Sequence, residues 1–365
     1  MLETFEPTVA QQEPERVSPR SLVLSVSMLL TAVLLAVLVL LPTPYAVNSP
    51  GPTRDVLGEH DGTPLIQVSG APTYDSTGEL RLTTVSSSGG PGYPSSILGV
   101  LQGWLSRSSV VQPAELVYPP HTSQEEIDQT NQREMTSSQE NATVAALTEL
   151  GYDVPATLAI SGAVEGTDAA GKVEQGDVLT ALDGTALPTY QSLADALAAV
   201  TPGDTVTLTV HRHGRDVQVP VVTSERDGGG AQIGVYIDPA FVLPVDVTIS
   251  IDDIGGPSAG TMFALGIIDK MTPQDEANGV DVAGTGTMDV TGEVGPIGGI
   301  RQKLAGAHRD GATWFLAPAA NCGEVVGYVP DGLRVVRVAT LHEAWAAVTE
   351  IGAGQGDGLP TCTAD

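Results

Sequence analysis

The chain has 365 residues, 41% hydrophobic and 16% charged. That composition excludes a disordered chain, and at about 150 residues per domain the length predicts two domains plus an extra segment. Its 16 basic and 44 acidic residues give a formal charge of -28, which excludes a nucleic-acid binder, because phosphates need a basic face.

The first element in chain order is Leu22 to Leu41, LVLSVSMLLTAVLLAVLVLL. It contains no charge, glycine or proline, and its 20 residues fit one crossing of a ~30 Å bilayer core. Pro42 and Pro44 stop the helix. We read an uncleaved transmembrane helix. The rival is a signal peptide, whose apolar region is usually about 7–15 residues and ends at a small-x-small cleavage site. Pro44-Tyr45-Ala46 is a poor site of that kind. Arg16 and Arg20 precede the span, and Arg54 is the only basic residue soon after it. The positive-inside rule then makes residues 1–21 a short cytoplasmic tail and puts the bulk of the chain outside the cell membrane.

Residues 42–122 form a membrane-proximal segment rich in Pro, Gly, Ser and Thr, with strand-like pieces at 64–68 and 79–85. Ser123-Gln124-Glu125-Glu126 is a capping box that opens a helix to Leu150, with Gly151 at its end. Residues 154–224 alternate short strands with turns: Thr157–Ile160, Val178–Leu182, Thr205–His211 and Val217–Val222. One helix, Tyr190–Val200, interrupts them. We group 123–225 as helix plus small β-rich domain. Arg226 to Gly230 is a Gly-rich break. Strands and helices alternate from Gln232 to about Ile351, an α/β layer within residues 226–351. The tail, 352–365, reads as flexible. The fold class is α+β / α/β behind an N-terminal helix.

Ser161 to Ala170 (SGAVEGTDAA), Lys172 to Leu179 (KVEQGDVL) and Leu182-Asp183-Gly184 resemble a bacterial-type PDZ domain. The resemblance implies strand addition of an extended, C-terminal peptide ligand to an open sheet edge. The blander reading is a β-rich spacer without a ligand. Gly166-x-x-x-x-Gly171-Lys172 imitates a phosphate loop, but Val173 stands where a magnesium-binding Ser or Thr is needed.

Two islands carry the chemistry. In Gly255-Gly256-Pro257-Ser258-Ala259-Gly260, Ser258 opens an apolar helix, where free N–H groups favour a developing negative charge. The second island, Gly295-Pro296-Ile297-Gly298-Gly299-Ile300-Arg301-Gln302-Lys303, opens another helix. The chain's lysines are Lys172, Lys270 and Lys303; its other basic residues are arginine. Arginine keeps its proton, whereas a desolvated lysine releases it and acts as a base. At an ordinary pKa of ~10.4 about 0.04% is neutral at pH 7. Burial that lowers the pKa by about three units costs roughly 4 kcal/mol.

These paired islands resemble the proteolytic domain of the Lon protease family over roughly residues 232–351. The strands at 64–68 and 79–85 are candidates for the first strands of that domain, with the PDZ module inserted between them and residue 232. The resemblance implies Ser258 as nucleophile and Lys303 as base. Thr285 matches a family threonine beside the lysine and is expected to orient it. The turn residues Gly256, Pro257 and Ala259 surround the expected oxyanion site. The ATP-dependent members carry Asp where this chain has Gly255 and Glu where it has Thr287. Together with the anchor and PDZ module, the chain resembles bacterial membrane-anchored, PDZ-containing Lon-like proteases. No Walker A motif is found, so we expect an ATP-independent serine endopeptidase acting on flexible or unfolded polypeptides, with neither cofactor nor metal. A homo-oligomer, a hexamer, is implied by resemblance alone. The alternative is a membrane-tethered PDZ adaptor with an inactive peptidase-like scaffold. His211 and His213 share a strand face without a third ligand nearby. Cys322 and Cys362 either pair or remain two thiols.

Overall fold

The computed structural model describes residues 18–60, 62–119, 122–226, 229–251 and 254–363. Most of the expected cytoplasmic tail (1–17, with Arg16), residues 227–228 of the Gly-rich break and the last two tail residues lie outside them.

Helix α1 (Pro19–Leu40) starts where the Ser18 hydroxyl accepts the Ser21 N–H at 3.1 Å, with Pro19 in its first turn. Its stretch Pro19–Val37 is wholly exposed, apolar, and long enough to cross a membrane. The next elements are β1 (Tyr45–Asp55), β2 (Ile66–Ser69), β3 (Glu79–Ser88), α2 (Ile97–Leu105), β4 (Val110–Pro113) and α3 (Gln124–Glu149). Strands β5 (Ala156–Ala163) and β6 (Val178–Leu182), helix α4 (Tyr190–Ala198), and strands β7 (Thr205–Arg212), β8 (Arg215–Val222) and β9 (Val235–Phe241) follow. The chain continues through β10 (Asp246–Ile249), α5 (Gly260–Met271), β11 (Asp281–Gly284), α6 (Ile300–Arg309), β12 (Trp314–Pro318), β13 (Arg334–Val338) and α7 (Leu341–Gly352).

Two main sheets organise these elements. The first runs β13-β12-β11-β3-β1-β4, parallel from β13 to β3 and antiparallel through β1 and β4. It therefore draws strands from both sides of the 156–241 segment. The second runs β8-β7-β6-β5-β9 and is antiparallel throughout. The parallel strands β11, β12 and β13 are buried on both faces. Val282, Leu316 and Val336 join the core around α5, while Ala283, Phe315 and Val335 join the core around α6. Period-two alternation thus splits each strand between two helical layers. The second sheet has its own core, including Leu158, Leu179, Leu193, Leu208 and Val221.

Three segments differ from the sequence reading. The helix grouped with the β-rich domain, α3, packs Met135, Ala142, Ala145 and Ala146 into the core around α5. Its apolar half needs a partner, and the helical layer of the first sheet supplies one. Conversely, β9 lies beyond the Gly-rich break yet pairs with β5. The tail is fixed rather than loose. Cys362 is disulfide-bonded to Cys322, and the Arg337 N–H donates to the Pro360 carbonyl at 2.8 Å.

Candidate active site

Ser258 and Lys303 come from opposite faces of the first sheet. Helix α5, just after Ser258, covers one face, and α6 covers the other. They converge at the carboxyl end of β11, where Thr285 follows Gly284. Crevices form at such strand ends when flanking helices diverge to opposite faces. Ser258 itself lies two residues before the first residue of α5, and Ala259 is the cap residue.

Gly299, which precedes α6, has φ 73°, and a Cβ there would lie 2.7 Å from Val85 Cγ2. A larger residue would meet both strain and a clash. The loop before it is clamped by Asn321, whose amide accepts the Ile297 N–H and donates to the Ile297 carbonyl, both at 2.9 Å. This fixes the start of the lysine helix. Asn321 was not singled out from the sequence; one polar residue in a connecting segment leaves no periodic signal.

Lys303 Nζ lies 2.7 Å from Ser258 Oγ and donates to Thr285 Oγ1 at 2.9 Å. Thr285 in turn donates to the Ser258 carbonyl at 2.9 Å, and the Gly286 N–H reaches the same oxygen at 3.0 Å. Thr285 is fully buried and Lys303 is 2% exposed. Burial pushes the Lys303 ammonium down to about 7.

The other turn residues divide. Gly256 donates its N–H to the Asn131 carbonyl of α3 at 3.0 Å. Pro257 has no N–H, and its carbonyl accepts from the Ser138 hydroxyl of α3 at 3.0 Å. Neither residue supplies an oxyanion donor; both instead tie the serine turn to α3. The departure at Gly255 has a steric reason, since a Cβ there would lie 2.7 Å from Asn131 Cβ. Among the described residues, no group of three His, Cys, Asp or Glu could hold a metal ion.

A second concavity, about 480 Å³, lies between α4 and the segment running from Ala231 into β9. Leu193, Leu197, Ile233 and Ile237 give it an apolar floor. Asp289 and Glu293, from the loop after Thr285, form another wall. The sequence reading assigned no residues to a peptide groove. Its signal was Gln232-Ile233-Gly234-Val235, a glycine turn leading into an edge strand.

Residues 245–349 match the Lon protease (S16) C-terminal proteolytic domain, and residues 163–223 match the PDZ domain. Over 135 residues the chain is 35% identical to the Lon protease of Frankia alni, covering 36% of this chain and 14% of that protein. Over 124 residues it is 33% identical to Lon protease 2 of Sorangium cellulosum, covering 32% and 15%. The PDZ domain of the SdrC-like protein from Listeria innocua aligns with 22% of this chain and 92% of its own, at 22% identity and a TM-score of 0.22. The chain thus spans about one seventh of the length of the curated relatives it matches. Ser258, Thr285 and Lys303 all fall within the first matched segment. The chain carries a Lon-type serine peptidase domain, with a PDZ domain ahead of it.

Proposed function

We propose that this protein is a membrane-anchored, ATP-independent serine endopeptidase with a Ser258–Lys303 dyad. The observation that carries the reading is the buried Lys303 amine, 2.7 Å from the Ser258 hydroxyl and brought to about 7 by burial. A base near the working pH is best matched to proton transfer.

Ser258 Oγ attacks the scissile carbonyl carbon while its proton passes to the neutral Lys303 Nζ. The carbonyl oxygen becomes an oxyanion. Of the amides at residues 256–259, those of Ser258 and Ala259 serve it, since Gly256 is engaged and Pro257 has none. Collapse breaks the C–N bond, and Lys303 gives its proton to the leaving amine. Water then repeats the sequence on the acyl-enzyme, losing a proton to Lys303 and releasing the acid and free Ser258. Thr285 acts as a positioning residue, holding Nζ and the Ser258 carbonyl through one hydroxyl. The first proton transfer runs between Ser258 Oγ and Lys303 Nζ, already within hydrogen-bond reach, and no step requires a nucleotide.

The concavity beside α4 takes an extended peptide along β9, the edge strand of its sheet among the described residues. Helix α1 anchors the chain, with Arg20 on the cytoplasmic side and both domains outside. The test is cleavage of unfolded casein by the full chain in detergent, with and without ATP, beside Ser258→Ala and Lys303→Ala. The reading expects cleavage that ignores ATP and disappears in both variants. Cleavage surviving Lys303→Ala refutes the assigned base, and cleavage that requires ATP refutes the independence.

A further inference from the structure

The stretch from residue 82 to 106 holds no charged side chain in a chain of formal charge -28. Its centre is α2, nine residues of sequence ILGVLQGWL. This helix has two distinct faces. Val100 and Gly103 are buried against the first sheet. The approach is so close that a Cβ on Gly103 would lie 2.6 Å from Val111 Cγ2 and 3.0 Å from Val47 Cγ1. The opposite face is apolar, and no described residue covers it. Leu98, Leu101 and Leu105 follow one another at helical spacing, and all are exposed. Leu105 is 87% exposed and Trp104 59%, with exposed Tyr93 just before the helix. Trp104 is braced edge-on by Tyr45, ring centroids 5.9 Å apart.

The position of α2 says what covers this face. Two residues after α1 ends, Pro42 bridges Ser96, the residue that caps α2. The Thr43 N–H donates to the Ser95 carbonyl at 2.9 Å, and α2 touches α1. Paired backbones lie about 5 Å apart. The start of α2 is therefore held at the level where α1 leaves the hydrocarbon. Trp and Tyr are favoured at that depth because each has an apolar body and a polar tip. An apolar helix face without charge suits the interfacial layer and does not suit water.

We propose that α2 lies in the outer interfacial layer of the same bilayer that α1 crosses. Leu98, Leu101 and Leu105 enter the acyl boundary, and Trp104 and Tyr93 sit at headgroup level. The protein then meets the membrane through a span and a parallel foot, and its first sheet stands on that foot. This rests on the anchor reading of α1, and the experiment separates the two.

The full chain is reconstituted into phosphatidylcholine vesicles whose acyl chains are brominated either near the glycerol or near the chain end. Shallow bromines are expected to quench one of the chain's three tryptophans, a loss of roughly a third of the emission. Trp104→Phe removes that loss, and Leu101→Glu with Leu105→Glu weakens it. A second chain, Trp104→Phe with Leu34→Trp, reports on α1 and is expected to respond to the deep bromines. If Leu34→Trp is quenched and Trp104 is not, the foot is overturned and the anchor stands. Stronger quenching of Trp104 by deep than by shallow bromines also overturns it. If neither position is quenched, the anchor and the foot fall together. Loss of self-association in Trp104→Phe, with no quenching of Trp104, assigns the face to a second copy instead.

Discussion

Lys303 in the peptidase domain and Asp177 in the PDZ domain are both buried, 2% and 1% exposed, and their surroundings differ completely. Asp177 receives the Arg212 guanidinium in a fork, Nε at 2.7 Å and Nη2 at 2.6 Å. That pairing holds its carboxyl below the usual carboxylate range. Arg212 also donates to the Lys172 carbonyl and to Glu174, knitting together the turn that carries Asp177. Among the described residues, Lys303 has two hydroxyls for partners and no carboxylate. Burial therefore works against its charge and brings it to about 7. A buried charge given a counterion stays charged and holds a fold together. A buried charge denied one becomes neutral and available for proton transfer.

The contrast breaks most sharply at the dyad. Ser258→Ala or Lys303→Ala is expected to lower kcat by roughly 10⁴-fold or more, measured on casein or a quenched peptide. Lys303→Arg is expected to rescue nothing, because the guanidinium keeps its proton. Recovery of activity in Lys303→Arg would show that charge, rather than neutrality, is what the site needs.

The next effect is on stability, with the sign set by linkage. Lys303 is shifted from 10.5 in the unfolded chain to about 7 in the folded one. Between these values the unfolded chain holds a proton that the folded chain has released. Wild-type stability therefore gains from this group as pH rises from about 7 to 10.5, and the penalty is full below 7. Lys303→Met is expected to stabilise the chain at pH 7 by on the order of 4 kcal/mol and to flatten that pH dependence, read by denaturant melts. Unchanged or lower stability would mean that burial does not penalise the amine as described.

Asp177→Ala works in the opposite direction. It is expected to destabilise the PDZ domain by roughly 2–3 kcal/mol, below the ~3–5 of fully enclosed pairs because Arg212 reaches solvent. Cleavage of a short peptide that needs no recruitment should persist at a temperature where the domain stays folded. Thr285→Val is expected to be smaller, about a 10–100-fold loss in kcat with KM little changed. The threonine oxygen accepts from Nζ and supports its charged form, so the acid limb of the pH–rate profile should move to lower pH. An equal rise in KM, or an unmoved limb, would assign Thr285 to packing alone.

The parts legible in sequence were those where chemistry constrains residue type. Ser258 and Lys303 stand in glycine-rich islands because a serine turn and a helix start must approach closely. The scarcity of lysine made Lys303 conspicuous. The parts that were not legible act through backbone or through distance along the chain. Asn131 supports the serine turn with a carbonyl, which any residue could offer. Its helix, α3, lies more than a hundred residues before Ser258 and reads as a neighbour of the strands that follow it. The sheet that strand β9 joins was missed for the opposite reason, since the glycines before it look like a boundary while its pairing with β5 crosses them. Arg212 was not singled out, since it lies just past the expected strand Thr205–His211. Its partner Asp177 belongs to the Gly-Asp turn, and nothing local joins positions 35 residues apart.

The most direct test is an NMR titration of the full-length Ser258→Ala chain with isotope-labelled lysine. The three lysines give few resonances, and Lys303→Arg identifies the one that disappears. This resonance is expected to titrate near 7. Titration of that resonance in the ordinary lysine range of about 10 would contradict it, leaving the site a charged lysine and no base.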